Sequence, residues 1–350
     1  MTPRRIIIDA DPGDDDAVAL LLALASPELD VLGITAVAGN VPLALTQRNA
    51  RAIRELAGRT GVPVCAGADR PLLRPLLTAE EVHGDNGLGG VDLPEPVLPL
   101  DPRHAVDFIV ETVMAESPGT VTLCCLGPLT NAALALAREP RLAGRLAGIV
   151  LMGGAWFAGG NTTPVAEFNV YVDPHAAERV LASGADVTVV PLDCTHQALI
   201  TPERVAAFRA LGTRVGGVTA DILDFYKRFD AERYGMPGGP LHDPCVIAWL
   251  LAPDLFAGKR VGVRVETGSA LTMGLTVMDW WPVGDGPAGT LVLHTLDADR
   301  LFALLVERIG RLKATTRPDH RSTRCSRMSS WAEPSCALQV PASLPSGRSV

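Results

Sequence analysis

Apolar runs and polar breaks alternate along this chain in the order strand, helix, strand, helix. Ile6, Ile7 and Ile8 are β-branched and uninterrupted, as a strand buried on both faces requires. Pro12-Gly13 breaks that strand, and from Asp14 the order Asp-Asp-Asp-Ala-Val-Ala-Leu-Leu-Leu-Ala-Leu-Ala is rich in strong helix formers. The pattern then predicts a strand over residues 31 to 38, a helix over 43 to 57, a short strand over 63 to 66 and a helix over 105 to 115. A strand over 121 to 126, a helix over 129 to 137, a strand over 148 to 152, a helix over 174 to 182 and a strand over 187 to 191 follow. Such alternation predicts an α/β fold, a doubly wound, mainly parallel sheet with helices on both faces, whose post-strand loops form one functional rim.

Glycine and proline mark the long loops. Residues 67 to 100 carry Pro71, Pro75, Gly84, Gly87, Gly89, Gly90, Pro94, Pro96 and Pro99, and residues 153 to 169 hold two Gly-Gly pairs and Asn-Thr-Thr-Pro. Long ordered loops usually carry function. Residues 216 to 234 read as an amphipathic helix, broken by Gly235 to Pro240 ahead of Leu241-His-Asp-Pro244. Residues 261 to 265, 275 to 278 and 291 to 294 read as antiparallel edge strands, and a last helix runs from Asp297 to about Arg311. From Thr315 Ser, Arg, Pro and Thr dominate and no period survives, so a single domain over residues 1 to 313 and a disordered tail over 314 to 350 are expected.

Composition narrows the function. With 350 residues and 47% hydrophobic content the chain can bury one large core. A net charge of −8 and a pI near 5.4 argue against nucleic acid, which selects a basic face, and leave small molecules as partners. No apolar signal region opens the chain and no apolar stretch of about 18 residues appears, so a soluble, cytoplasmic protein without membrane contact is expected. Seven cysteines without a Cys-x-x-Cys pair point to reduced thiols, with Cys124, Cys125 and Cys245 packing as small hydrophobes.

Candidate chemistry concentrates in Asp9, Asp11, Asp14, Asp15 and Asp16, at a strand's carboxyl end and in the next helix's first turn. Open α/β sheets place their ligands at that edge. Dipole stabilisation explains one or two first-turn acids. It leaves Asp9 and Asp11, where mutual repulsion raises pKa values unless a cation neutralises the group, and carboxylate oxygens are hard ligands suited to Ca²⁺ or Mg²⁺. An EF-hand fits poorly, because a strand precedes the acids and Pro12 intrudes. A metal-dependent aspartate-nucleophile phosphatase, which also opens with a strand and Asp-x-Asp, remains an enzymatic alternative.

In order along the rim stand Asp9-Ala-Asp-Pro-Gly-Asp-Asp-Asp16, Gly39-Asn40, His83-Gly84, Leu126-Gly-Pro-Leu-Thr-Asn131, Met152-Gly-Gly154, Glu167-Phe-Asn169 and His242-Asp-Pro244. This series closely resembles the nucleoside hydrolases over roughly residues 4 to 313, and the opening Asp-x-Asp-Pro-Gly-x-Asp-Asp is its most specific part. The resemblance implies hydrolysis of the N-glycosidic bond of ribonucleosides to ribose and free base, a bound Ca²⁺, and a homo-oligomer, dimer or tetramer. It implies calcium ligation by Asp11, Asp16, the Leu126 carbonyl and Asp243. The vicinal ribose hydroxyls complete such an oxygen shell, since Ca²⁺ takes roughly six to eight ligands. Asp11 is then the general base on water at C1′ and His242 serves the leaving base. Asp15, Asn40, His83, Met152, Asn161, Glu167, Phe168, Asn169 and Tyr234 are the implied substrate contacts.

Two departures from the family pattern stand out. Leu126-Gly127-Pro128 replaces a Thr-Gly-Gly found in some relatives, which a backbone-carbonyl ligand tolerates, and Asp14 occupies a position that is often apolar, with dipole stabilisation its only evident role. The ordinary reading of Asn161, Glu167 and Asn169 is loop polarity, and that of a lone histidine is a structural hydrogen bond. His83 and His242 together resemble the inosine-uridine or pyrimidine-preferring branch, since purine-specific relatives rely on aromatic stacking, and Arg233-Tyr234 with His242-Asp-Pro-Cys245 looks nearest to pyrimidine-preferring bacterial members. A non-catalytic nucleoside-binding protein is a further alternative, which has no need of a base such as Asp11 facing the anomeric carbon.

Overall fold

The computed structural model describes residues 2–234, 238–284 and 289–312. Six strands, β1 (Arg4–Ala10), β2 (Leu29–Ala36), β3 (Val64–Ala66), β4 (Val121–Cys125), β5 (Gly148–Met152) and β6 (Val187–Val190), pair in parallel in the order β3-β2-β1-β4-β5-β6. Leu199–Ile200 (β7) and Gly239–Pro240 (β8) form a short antiparallel pair apart from this sheet. Then come β9 (Phe256–Val261), β10 (Val263–Val265), β11 (Thr276–Met278) and β12 (Thr290–Leu296). The sheet is completed by β12 beside β6 and β9 on the outside, giving eight strands.

β1 shows why its isoleucines are needed. Strand side chains alternate between faces, and Ile6 and Ile8 enter one apolar cluster while Ile7 enters the other, all three fully buried. The first face is covered by the helices Asp14–Ala25, Pro244–Leu251 and Ala298–Ile309, the second by Ala105–Ala115, Thr130–Arg138 and Pro174–Leu181. Cys124, Cys125 and Cys245 are buried free thiols within these clusters, as expected. Among the described residues no helix is long and apolar enough to cross a membrane.

The C-terminal strands correct the sequence reading. β12 is not an edge strand: it pairs in parallel with β6 and antiparallel with β9, and only β9 lies outside. The strand expected over 261 to 265 is β10, and β9 before it was not anticipated, because Lys259 and Arg260 hide its strand character. Charged side chains of this kind protect an exposed edge from pairing with other chains. β10 and β11 form their own antiparallel pair. The helix Pro244–Leu251 was not anticipated: Pro-Cys-Val-Ile-Ala-Trp-Leu-Leu is apolar nearly all round and carries no helical period to read. The tail expected from Thr315 lies outside the described residues.

Candidate active site

β1 delivers its last residues to the carboxyl edge of the sheet between β2 and β4, where the strand order reverses. Doubly wound sheets open a crevice at that point. Asp9, still in the strand, is tied down. Its Oδ1 accepts hydrogen bonds from Thr35 Oγ1 at 2.6 Å and Asn131 Nδ2 at 2.8 Å, so it braces the rim rather than facing a ligand. Burial outweighs these donors and pushes its carboxyl up to about 7.

Asp11 lies just past the strand end. Its Oδ2 accepts the Asn40 backbone N–H at 2.7 Å, while its buried Oδ1 has no hydrogen-bond partner. A Cβ on Gly39 would stand 2.0 Å from Asp11 Oδ2, and one on Gly127 2.1 Å from Oδ1. The carboxylate is therefore clamped between two backbone segments that only glycine can supply. Gly13 caps the next helix, and its N–H donates to Asp16 Oδ2 at 3.0 Å, an oxygen that also accepts from Asn40 Nδ2 at 3.0 Å. Asp16 thus performs the capping role expected of a first-turn acid. Its other oxygen is buried without a donor.

Asp15, one residue earlier on the same turn, reaches the cleft and accepts the Asp243 N–H through Oδ2 at 3.4 Å. Carboxylate oxygens of Asp15, Asp16 and Asp243 lie within 4.8 Å of one another, a group able to hold a metal ion. Asp11 stands outside this tightest set, but its charge acts on Asp243. Burial first, and then mutual repulsion, pushes Asp11 and Asp243 well above the usual carboxylate range and Asp15 to about 6. Buried like charges at this spacing need protons or a cation to offset them. The converging carboxylates of Asp15, Asp16 and Asp243, with the donor-less Oδ1 of Asp16 among them and that of Asp11 adjoining, fit a hard divalent cation.

Above the acids opens a cavity of about 340 Å³. Asp15, Asn40, Leu126, Met152, Asn169 and Asp243 reach it from the rim, Asn161, Glu167 and Phe168 from the loop after β5 and the start of the helix that ends it, and His83 and His242 from the remaining wall. Asp11 and Asp16 lie beneath its surface. Asn169 Nδ2 donates to the Leu126 carbonyl at 2.7 Å and to that of Met152 at 3.3 Å, tying the ends of β4 and β5 together. Asn161 is exposed, and its Oδ1 accepts the Phe168 N–H at 3.0 Å. His242 Nδ1 stands 2.7 Å from Thr195 Oγ1. Burial, then His196 and His83, lower its imidazole to about 3, so it is neutral at physiological pH.

The chain matches the family of inosine-uridine preferring nucleoside hydrolases over residues 6–303. It belongs to the nucleoside hydrolases. It is 52% identical over 308 residues to an uncharacterised protein of Schizosaccharomyces pombe, covering 88% of this chain and 99% of that one. It is 47% identical to the pyrimidine-specific ribonucleoside hydrolase RihA of Photobacterium profundum, with the same shares covered. Among solved structures, the purine-preferring ribonucleoside hydrolase from Gardnerella vaginalis superposes with a TM-score of 0.83 at 33% identity, over 89% of this chain and 99% of that one. The protein is accordingly an enzyme that hydrolyses N-glycosidic bonds of nucleosides, and the phosphatase and non-catalytic alternatives are set aside.

In this nucleoside hydrolase, Asp15 and Asp16, both in the first turn of the helix Asp14–Ala25, each bring a carboxylate oxygen near that of Asp243. The side chain of Tyr234 lies outside the described residues. Tyr171 and Tyr226 line the cavity and were not anticipated from sequence, nor was Thr195. Thr195 follows β6 at the sheet's ligand edge, the one signal that singles it out.

Glu167 offers a direct test of how the nucleoside hydrolase builds its wall. It caps the helix Phe168–Val172, Oε1 accepting the Asn169 N–H at 2.8 Å and Oε2 the Val170 and Gly154 N–H groups at 3.1 and 3.0 Å. All three partners are donors. Glu167→Gln turns an amide NH₂ toward at least one of them and should destabilise the protein by about 1–3 kcal/mol, the cost of an unsatisfied buried group. Urea denaturation measures this, and an unchanged midpoint would show that the capping bonds are dispensable.

Proposed function

We propose that this protein is a Ca²⁺-dependent ribonucleoside hydrolase with a preference for pyrimidine nucleosides, acting in the cytoplasm as a homo-oligomer through a catalytic domain spanning residues 1 to 313. One observation carries the reading: buried, donor-less oxygens of Asp11 and Asp16 beside Asp15 and Asp243, directly beneath a nucleoside-sized polar cavity. Asp11, Asp16, Asp243 and the Leu126 carbonyl would hold the ion. Bound there, Ca²⁺ would supply Lewis-acid chemistry, with an oxygen shell open to sugar hydroxyls and a lowered pKa for water.

The chain's own residues do the rest. Asp11 accepts the proton of the water that attacks C1′, and the clamp of Gly39 and Gly127 keeps its carboxylate aimed. Asp15, Asn40, Asn161, Glu167 and Asn169 bind ribose hydroxyls. As the glycosidic bond lengthens, positive charge grows at C1′ and the ring oxygen, and the surrounding carboxylates stabilise it. Met152, Phe168 and His83 pack about sugar and base, and His242 serves the leaving base. No lysine or arginine lines the cavity among the described residues, which favours unphosphorylated substrates. The pyrimidine preference is supported by 47% identity to a pyrimidine-specific relative, against 33% to a purine-preferring one.

Ribose released from uridine, cytidine, inosine and adenosine tests the proposal. Uridine and cytidine should lead, chelation should abolish release and Ca²⁺ should restore it. Undiminished activity after complete removal of divalent ions would overturn the metal assignment, and a lead by adenosine would overturn the preference.

A further inference from the structure

Helix-dipole stabilisation accounts poorly for Asp14. Dipole effects are screened surface terms, yet Asp14 is 0% exposed, and its Oδ1 has no hydrogen-bond partner. What it does meet is His83. Asp14 Oδ2 lies 3.2 Å from His83 Nδ1, and the Asp14 backbone N–H is 3.2 Å from the same nitrogen.

We propose that Asp14 is a positioning residue for His83, holding the imidazole by its Nδ1 edge so that the ring stays fixed in the cavity wall. The surroundings leave the ring little freedom. A Cβ on Gly13 would stand 2.7 Å from His83 Nδ1 and 2.9 Å from Cε1, so the imidazole packs directly on the helix-capping backbone. Its other flank stacks on Tyr226, with centroids 5.4 Å apart and planes at 23°. Gly89 N–H donates to the His83 carbonyl at 2.9 Å, and a Cβ on Gly89 would meet Asp14 Oδ1 at 2.9 Å. Acid, imidazole and glycine loop thus close on one another. His83 ends the single-turn helix Glu80–His83 in the long segment that follows the third strand, whereas Asp14 sits on the first turn of the buried twelve-residue helix Asp14–Ala25. The contact transfers that rigidity to a side chain facing the substrate, the support a precise site needs.

The catalytic consequence rests on the proposed nucleoside reading, and the test separates the two. Asp14→Ala, Asp14→Asn, His83→Ala and the Asp14→Ala/His83→Ala double variant are compared for kcat/KM on uridine, calcium per chain, and the ¹⁵N signal of the His83 imidazole. Asp14→Ala should lose about 10- to 10²-fold in kcat/KM, the scale of a misplaced contact. Asp14→Asn, whose amide still hydrogen-bonds Nδ1, should recover most of that loss. The double variant should be no worse than His83→Ala alone, since the two residues act as one unit. The His83 signal should shift in Asp14→Ala with calcium content unchanged. Losses that multiply in the double variant, an unmoved imidazole signal, or calcium lost from Asp14→Asn would each overturn the proposal. If the parent enzyme releases no ribose from any nucleoside, the functional reading falls by itself, and the imidazole signal still decides the role of Asp14.

Discussion

Asp11→Asn should lower turnover of uridine and inosine by at least ~10²-fold, the lower range for loss of a general base. The substitution keeps the shape of the side chain and one oxygen, so the Asn40 N–H retains its acceptor and the fit between Gly39 and Gly127 is unchanged. What disappears is a carboxylate that takes a proton. Asp243→Ala provides the contrast, because it empties one corner of the buried acid group and should lose bound calcium together with activity. Single-turnover rates and calcium content, measured on the same preparations, separate the cases. Near-normal turnover in Asp11→Asn would mean that the base is elsewhere.

That Asp11 stands out from the amino-acid sequence follows from how parallel sheets are built. A strand buried on both faces must be apolar throughout, so Ile6 to Ile8 announce β1, and the polar residues that follow have nowhere to stand but the ligand edge. The same logic makes β2, β4, β5 and β6 legible within about two residues. It fails for β12, because a strand's composition does not say which neighbours it will have, and for Pro244–Leu251, because a helix with no polar face has no period. The site divides the same way. Asp11, Asp15 and Asp16 are neighbours in sequence and declare themselves, whereas Asp243 is visible only through His242-Asp-Pro244. Thr195 and Tyr226 acquire meaning from partners far away in the chain, His242 and His83; Thr195 has only its place after β6 to mark it, and Tyr226 has no local signal. Asp14 is the instructive case. Its position is plain in the sequence, yet its contact lies 69 residues on, so a dipole role was the only one that local reasoning could assign.

The second large effect concerns the departing base. Burial, then His196 and His83, lower the His242 imidazole to about 3, so it meets the leaving base as a neutral ring. A neutral imidazole still donates one hydrogen bond, and the Thr195 hydroxyl at 2.7 Å can set which nitrogen does so: when it donates to Nδ1, the N–H sits on Nε2. Negative charge develops on the base as the glycosidic bond breaks, and a fixed donor aimed at such charge is worth about 10²- to 10³-fold. His242→Ala should therefore cut turnover of uridine and inosine by ~10²-fold or more. On p-nitrophenyl riboside the phenolate leaves without help, so the same variant should keep most of its activity, while Asp11→Asn and Asp243→Ala lose both reactions. Thr195→Val should follow His242→Ala in direction by a smaller factor, since the ring remains but its tautomer is no longer held. Equal losses on the nucleosides and the activated riboside would place His242 in the packing of the cavity wall and remove it from the chemistry of the leaving base.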